Sequence, residues 1–268
     1  MADQREHYTM GYGVASTSIM AVRTARQHAS FFIPHLKPDM KVLDCGCGPG
    51  SVSIGFAEIV SAGEVVATDI EESQLAIGRQ EADRRGLSNI RFECASIYQL
   101  PFDDNSFDAV FTSALIGNLQ EPLKGFQEIH RVLKDGGVIA VKEFDHGGDL
   151  LHPQDPDITE GLALYDRLRK HNGHDPESGR KVFGYLKQVG FRDITVSATY
   201  DTITDVVALK GISTMISRLV EESFAKSFED FGWANAELIK RIKDAWLRFP
   251  EKPDAFYALA WCEALARK

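Results

Sequence analysis

The sequence has no long apolar segment, few cysteines and no excess of basic residues. No apolar run approaches the roughly 20 residues that a membrane-spanning helix requires, and the opening MADQREHYTM lacks the apolar centre of a signal peptide. Four cysteines in 268 residues do not make a disulfide framework. Lys and Arg total 30 against 39 Asp and Glu, and the formal charge of −9 repels phosphate backbones and anionic lipid. We therefore expect a cytoplasmic protein that binds neither nucleic acid nor membranes.

Strand and helix patterns alternate from Met40 to Phe144. The segments KVLDC, SVSIGFAEIV and EVVATDI read as strand, helix and strand, a βαβ unit of about 30 residues that implies a parallel sheet. The strand patterns NIRFECA, FDAVFTSA and GVIAVKEF follow, with helix patterns between them. Later, DITVSATY alternates apolar and polar residues as an edge strand does, and AFYALAWCEALA is apolar on both faces as an interior strand is. These patterns predict an α/β fold with seven strands.

The remaining segments predict helices around this sheet. Residues 16–33 lack Gly and Pro and suggest one N-terminal helix, whereas the stretch from Asp145 to Pro156 suggests a loop. Helices are expected near 158–171 and 178–189, and three apolar stripes within 203–249 predict further helices. We divide the chain into a lead-in (1–37), a core (38–201 and 254–268) and a helical insert (202–253). An insert of this length between two strands is expected to form a lid over the site at the carboxyl ends of the strands.

The strongest chemical signal is VLDCGCGPG at residues 42–50, where a buried strand ends at Asp44 and runs into Gly46, Gly48 and Gly50. Glycines at such a turn let the backbone approach a ligand closely and open the next helix with its N–H groups exposed. A carboxylate before the first glycine has no purpose in a bare turn, but it can accept a hydrogen bond from the ammonium group of an amino-acid ligand. The spacing is GxGxG, so the dinucleotide fingerprint GxGxxG is not met.

A second signal is Asp69, which ends the next strand, VVATDI. An acid at this position either caps the following helix or accepts hydrogen bonds from both hydroxyls of a ribose. Its combination with the glycine turn favours the ribose role.

These residues resemble the class I S-adenosylmethionine-dependent methyltransferases, especially the branch of the ubiquinone/menaquinone biosynthesis C-methyltransferases and their small-molecule relatives. The resemblance implies a Rossmann-like seven-stranded sheet of order 3-2-1-4-5-7-6, with strand 7 antiparallel and a helical lid. It also implies that S-adenosylmethionine is the cofactor and a small molecule the methyl acceptor. The acceptor atom, O, N, S or C, is left open. A protein of this fold that binds the cofactor without methylating, for example as a cyclase, is the alternative.

The resemblance also assigns cofactor contacts. The loop from Asp44 to Gly50 would hold the methionine part, Asp69 the ribose, and Ser96 with the Ile97 backbone the adenine, although relatives usually carry an acid at position 96. Tyr8 and Arg23 would hold the methionine carboxylate or simply pack. The predicted cofactor-binding residues are Tyr8, Arg23, Asp44, Gly46, Cys47, Gly48, Gly50, Asp69, Ile70, Ser96, Ile97 and Ser113.

Catalysis of methyl transfer rests mainly on positioning, and a general base is needed only if the nucleophile keeps its proton into the transition state. The neighbours Asp145 and His146, just after the fifth strand, are the predicted catalytic acid–base pair, with a solvated loop pair as the alternative. Asn118 stands where relatives often carry His and can only orient. Arg180 would face an acidic substrate group or cap a helix.

Other chemistries fit the sequence less well. Cys45 and Cys47 have no second pair of ligands to complete a four-ligand metal site, and His171 and His174 have no further ligands near them in the sequence. Ser113 occupies a position that is a metal ligand in catechol methyltransferases. No metal is therefore predicted. The segment Ser113-Ala114-Leu115 also lacks the motif of enzymes that methylate nucleic-acid bases. The glycine spacing and Asp44 count against a nicotinamide-dependent oxidoreductase.

Overall fold

One sheet with helices packed against it forms the centre of the protein. The computed structural model describes residues 8–268, so the first seven positions of the predicted lead-in lie outside the described residues. The strands of the described chain are β1 (Lys41–Cys45), β2 (Glu64–Asp69), β3 (Ile90–Cys94), β4 (Phe107–Ser113), β5 (Leu133–Phe144), β6 (Leu150–His152), β7 (Arg192–Ile203) and β8 (Phe256–Arg267). The α-helices are α1 (Val14–Ala21), α2 (Ala25–His28), α3 (Ser51–Ile59), α4 (Glu72–Arg85), α5 (Pro122–Val132), α6 (Pro156–His171), α7 (Val182–Val189), α8 (Val206–Leu219), α9 (Ala225–Asp230) and α10 (Ala236–Arg248).

The strand order is β3-β2-β1-β4-β5-β8, and β8 also pairs with β7 and β6. The first five strands are parallel, whereas β8 is antiparallel to β5, β6 and β7. The predicted order 3-2-1-4-5-7-6 is therefore confirmed for the seven long strands. The loop predicted from Asp145 to Pro156 is wrong in part, because Leu150–His152 pairs with Phe256–Ala258. That pairing depends on contacts about a hundred residues away, which local pattern does not reveal.

Alternate residues of the strands feed two separate apolar layers. On one face Leu43, Val66 and Val110 pack with α5 and α7. On the other face Val42, Val65 and Ala109, each next in sequence to one of those three, pack with α2 and α3. Burial on both faces explains why these strands read as near-continuous apolar runs. It also leaves the loops at the carboxyl ends of the strands as the place for polar chemistry.

The N-terminal segment differs from the prediction. The single helix expected over 16–33 is two short helices, α1 and α2, interrupted between Ala21 and Ala25. Thr24 starts α2, because its side chain accepts a hydrogen bond from the Gln27 N–H at 3.3 Å. The break places Arg23 between two helices, where its side chain reaches the cavity described below.

The segment between β7 and β8 folds into α8, α9 and α10, which correspond to the predicted apolar stripes. A π-helical turn, Val220–Phe224, separates α8 from α9. These helices pack with α6 around Ile242, Trp246 and Phe249, all essentially inaccessible to solvent. Within residues 8–268, none of the helices combines the length and apolar character needed to cross a bilayer.

Candidate functional site

A cavity of about 380 Å³ lies along the carboxyl ends of the parallel strands and continues beneath α8 and α10. It has two halves of different character. The glycine-loop half is lined by residues at the carboxyl ends of β1, β2 and β3 or just after them, among them Asp44, Gly46, Cys47, Gly48, Asp69, Ile70, Ser96 and Ile97. The aromatic half is lined mainly by large apolar side chains, including Phe144, Tyr165, Phe224, Trp246, Tyr257 and Trp261.

The glycine turn is fixed to the end of β2 by hydrogen bonds. Gly46 and Cys47 donate their N–H groups to the Thr68 carbonyl at 2.8 and 3.0 Å, and Gly48 donates to Asp69 Oδ2 at 2.9 Å. Gly46, Gly48 and Gly50 all have positive φ, of 71°, 52° and 72°. This backbone region favours glycine because a Cβ there meets the carbonyl oxygen.

Asp44 and Asp69 are the acids of the glycine-loop half. Asp44 is buried, and its Oδ2 accepts a hydrogen bond from Ser53 Oγ at 2.5 Å. Burial raises the pKa of Asp44 to about 7, helped by the nearby charge of Asp69 and opposed by the Ser53 hydroxyl. Burial also raises the pKa of Asp69, although N–H donors, including those of Glu71 at 3.0 Å and Gly48, oppose the shift. A cationic ligand group beside Asp44 would favour its ionised form.

The N-terminal segment brings Tyr8 and Arg23 to the same cavity. Burial raises the pKa of Tyr8 to about 12. Burial lowers the pKa of Arg23, while the neighbouring Tyr8 and the acids Asp201 and Glu143 oppose that shift. The Arg23 guanidinium also lies 5.5 Å from the centre of the Trp261 ring.

Of the twelve predicted cofactor residues, all but Gly50 line the cavity. Ser96 is exposed and accepts a hydrogen bond from the Tyr98 N–H at 3.3 Å, and Ile97 beside it is buried. Ser113 Oγ lies 2.7 Å from His28 Nε2. Gly50 lies outside the cavity lining, directly before α3, and packs against Phe92 and Gly78, so its predicted contact with the cofactor stays a prediction.

The structure corrects the predicted acid–base pair. Asp145 is buried, lies outside the cavity lining and accepts hydrogen bonds from Arg180, through Nε and the backbone N–H, both at 2.9 Å. The Asp145–His146 pair does not form, because a guanidinium binds a carboxylate more strongly than a neighbouring imidazole can. Arg180 accordingly neither faces the cavity nor caps a helix. His146 does line the cavity, and its Nδ1 lies 3.0 Å from Asp149 Oδ2.

Sequence reasoning missed a buried cation in the aromatic half. Arg169 is 1% exposed, and its Nη2 donates to the Gly117 carbonyl and to Asn118 Oδ1, both at 3.1 Å. Its guanidinium lies 4.2 Å from the centre of the Phe144 ring. Asn118 therefore orients a neighbouring group, as predicted from its amide side chain, and that group is the Arg169 guanidinium. The sequence feature that could have indicated this buried cation is the spacing of Tyr165 and Arg169, which are four residues apart and so lie on the same face of α6.

Behind Arg169 lies a buried carboxylate, Glu143, which is the second-last residue of β5 and is wholly inaccessible. Its Oε2 accepts a hydrogen bond from the Ile116 N–H at 2.9 Å. Burial raises the pKa of Glu143 to about 7, and that N–H and the charge of Arg169 oppose the shift. Among residues 8–268 no group of three or more His, Cys, Asp or Glu side chains is arranged to hold a metal ion.

Comparisons with known proteins identify the family. A family model described as a methyltransferase domain matches residues 36–190. The chain is 34% identical over 284 residues to the probable methyltransferase ltbC of Aspergillus luteorubrus, covering 99% of this chain and 98% of that protein. It is 38% identical over 181 residues to the ubiquinone/menaquinone biosynthesis C-methyltransferase UbiE of Shewanella oneidensis, covering 59% of this chain and 71% of that protein.

A solved structure shares the fold. Haemonchus contortus phosphoethanolamine N-methyltransferase 2, in complex with S-adenosyl-L-methionine, aligns with a TM-score of 0.57 at 19% identity. The alignment covers 91% of this chain and 52% of that one, so this chain spans about half its length. The chain belongs to the methyltransferase domain family, as a class I S-adenosylmethionine-dependent methyltransferase, and the predicted enzyme class and cofactor are confirmed.

The glycine-loop half fits this cofactor. It offers carboxylates to an ammonium group and to ribose hydroxyls, and a guanidinium and a phenol to a carboxylate. Gln74 lines the same half and donates from Nε2 to Thr17 Oγ1 at 3.0 Å. Its Oε1 is buried and has no hydrogen-bond partner within residues 8–268. A buried acceptor of this kind costs free energy unless a ligand donates to it.

Proposed function

We propose that this enzyme methylates a small, mainly apolar molecule bound in the aromatic half of the cavity while the cofactor occupies the glycine-loop half. The observation that carries the proposal is the continuity of the two halves in one cavity. Apolar walls with a few polar groups are typical of small-molecule sites. The net charge of −9 counts against nucleic acid as a partner.

The proposed cofactor contacts follow from chemistry and position. Asp44 accepts from the ammonium group, Tyr8 and Arg23 bind the carboxylate, and Asp69 accepts from the ribose hydroxyls. Ser96, with the Ile97 backbone, meets the adenine. When bound, the cofactor supplies a methyl group on a positively charged sulfur. Holding the acceptor in line with that group supplies on the order of 7 to 11 kcal/mol of the barrier reduction in favourable cases.

The helical insert and the lead-in form the proposed lid. Ser223, in the π-helical turn, donates from Oγ to the Met10 carbonyl at 2.9 Å and so connects the two segments. Phe224 and Trp246 of the insert line the cavity. Phe231 and Trp233 of the insert pack with His171 and lie outside the cavity lining.

We also propose a cytoplasmic location. The cysteines Cys45, Cys47, Cys94 and Cys262 are all free thiols, as expected in a reducing compartment.

The test is calorimetric titration of the purified protein with S-adenosylmethionine, S-adenosylhomocysteine and, as a control, NAD. Micromolar binding of the first two, absent for NAD, is expected. Asp69→Ala should weaken that binding at least tenfold, since it removes charged hydrogen-bond acceptors worth roughly 1.5 to 3 kcal/mol each. Asp83→Ala, an exposed acid on α4, is the matched control and should bind as the wild type does. Equal binding by the Asp69 variant would contradict the assigned cofactor position.

A further inference from the structure

Within residues 8–268, two histidines six positions apart, His146 and His152, each lie against an Asp, but in very different surroundings. His146 Nδ1 lies 3.0 Å from Asp149 Oδ2, and both residues line the cavity. His152 Nε2 lies 3.1 Å from Asp254 Oδ2, and these side chains are 64% and 60% exposed. Only the first pair has a place in the chemistry of the site.

The geometry around Asp149 fixes how its carboxylate is used. Oδ1 accepts a hydrogen bond from the Ala260 N–H at 2.7 Å, which anchors the carboxylate to β8. The Asp149 N–H itself donates to the His146 carbonyl at 3.2 Å, closing a turn. Oδ2 is thereby left to face Nδ1, and a carboxylate in that position selects the tautomer with the proton on Nδ1.

The opposite nitrogen of His146 is left available. Nε2 forms no hydrogen bond within the described part of the chain, and the imidazole retains 21% of its side-chain exposure. The ring is held by stacking on Phe144, with centroids 4.9 Å apart, and by an edge contact with Tyr165. A fixed imidazole in the wall of an aromatic cavity, with Nε2 free of protein hydrogen bonds, is the arrangement that a general base requires.

Two charged residues of α6 share the cavity wall with this imidazole. They are Asp166 and Arg169; burial raises the pKa of Asp166, and the charges of His146 and Arg169 oppose that shift. With Asp149 Oδ2 at 3.0 Å from Nδ1, an imidazolium formed at His146 is compensated by a carboxylate. Arg169 offers a positive charge to an oxygen that becomes more negative as it loses its proton.

Building on the proposed function, we propose that His146 is the general base for methylation of a phenolic hydroxyl and that Asp149 is its positioning residue. A phenol has a pKa near 10, so at neutral pH it keeps its proton and needs a base, whereas the aromatic walls suit its ring. As an electron pair of the phenol oxygen forms the bond to the methyl carbon, the carbon–sulfur bond breaks with its pair staying on sulfur. The hydroxyl proton passes to Nε2 of His146 and later to water.

The first test reads the tautomer and needs no turnover. In ¹⁵N-histidine NMR spectra of the wild type at a pH where the imidazole is neutral, His146 should carry its proton on Nδ1. Asp149→Asn should shift the population towards the Nε2–H form, and Asp254→Asn should leave the His146 signals unchanged. An Nε2–H tautomer in the wild type, or signals insensitive to Asp149→Asn, would overturn the proposal.

The second test compares acceptors that differ in their need for a base. Wild-type protein is incubated with S-adenosylmethionine and a panel of phenols, from phenol to polycyclic hydroxyarenes, together with the matching thiophenols, which are largely ionised at neutral pH. His146→Asn should lower kcat for phenols by roughly 10²- to 10⁴-fold and change kcat for thiophenols little. His152→Asn is the matched control and should leave both rates unchanged.

The outcomes separate the two proposals. Titration with S-adenosylmethionine should give the same affinity for wild type, His146→Asn and Asp149→Asn. Failure of the wild type to bind would sink the proposed function, whatever the tautomer. Normal binding with no phenol methylated, or with phenols and thiophenols slowed equally in His146→Asn, would overturn the base assignment and leave the cofactor site intact.

Discussion

The two halves of the cavity are built from the chain in opposite ways. The glycine-loop half comes mainly from residues at the carboxyl ends of three neighbouring strands, and its loop is fixed by short backbone hydrogen bonds to the end of β2. The aromatic half collects side chains from the end of β5, from α6, from the π-helical turn, from α10 and from β8. One half is therefore a property of local backbone conformation, and the other a property of long-range packing.

This difference has a consequence for how each half tolerates change. In the glycine-loop half an added Cβ alters the backbone itself, because the glycines occupy the left-handed region. In the aromatic half a truncated side chain leaves a cavity but no backbone conflict, so the cost falls on stability. We therefore expect substitutions in the glycine-loop half to change cofactor affinity, and those in the aromatic half to change mainly the free energy of unfolding.

The largest expected effect is on stability, from Phe224→Ala. Phe224 is 5% exposed and packs on Tyr165 and Phe228, with ring centroids 4.9 and 6.2 Å away. Its truncation should lower the free energy of unfolding by about 3 to 5 kcal/mol, measured by urea denaturation. The Kd for S-adenosylmethionine should stay within about twofold, since Phe224 is not among the proposed cofactor contacts.

Phe231→Ala is the control for this prediction. Phe231 lies nearby in the chain but is 43% exposed and outside the cavity, so its removal should cost about 1 kcal/mol or less. If Phe224→Ala weakens cofactor binding strongly while the protein remains folded, the two halves are coupled and the comparison fails.

The same contrast explains what the sequence predicts well. The strand order and the positions of Asp44 and Asp69 follow from short patterns, because parallel βαβ units place the ends of adjacent strands at one edge. The pairing of Asp145 with Arg180 could not be predicted from such patterns, because it is the turn before α7 that brings Arg180 to Asp145. Likewise, nothing local to His146 indicates that Asp149 is anchored by Ala260, which lies 111 residues further along the chain.

Burial of charge is the other feature that pattern reading misses. Arg169 reads as a surface residue of an amphipathic helix, yet it is almost inaccessible because Gly117 and Asn118 accept its hydrogen bonds. Both acceptors belong to the turn that follows β4, 51 or more residues earlier in the chain. Such a contact becomes visible only when the tertiary structure is known.

We expect the next largest effect from Gly50→Ala, a substitution in the turn of the glycine-loop half. A Cβ at Gly50 would lie 2.4 Å from the Phe92 ring, and the backbone φ is +72°. We expect the free energy of unfolding to fall by about 2 to 4 kcal/mol, from left-handed strain and overpacking together. Cofactor affinity should fall as well, because the turn and the start of α3 must shift.

Gly86→Ala is the matched control, since Gly86 has φ +68° but no atom within 4 Å of the added Cβ. It should cost only the left-handed strain, about 1 to 2 kcal/mol, with unchanged cofactor affinity. Equal losses of stability in the two variants would mean that contact with Phe92 is unimportant, and unchanged affinity in Gly50→Ala would show that the turn adapts.

The smallest effect is a pH dependence in the glycine-loop half. The pKa of Asp44 is raised to about 7 in the free protein, so its contribution to stability is fully present below the ordinary pKa of 3.8 and is lost as the pH rises through 7. Binding an ammonium group favours the ionised form, so below pH 7 binding must release a proton. Affinity for S-adenosylhomocysteine should therefore rise by up to about tenfold per pH unit between pH 5 and 7 and then level off.

Calorimetry in buffers of different ionisation enthalpy measures that proton directly. Ser53→Ala removes the hydroxyl that lowers the pKa of Asp44, so the pH at which affinity levels off should move upward. Asp44→Asn should abolish both the proton release and the slope, and its affinity should be lower at every pH. A proton released equally by the wild type and Asp44→Asn would place the ammonium group beside another acid.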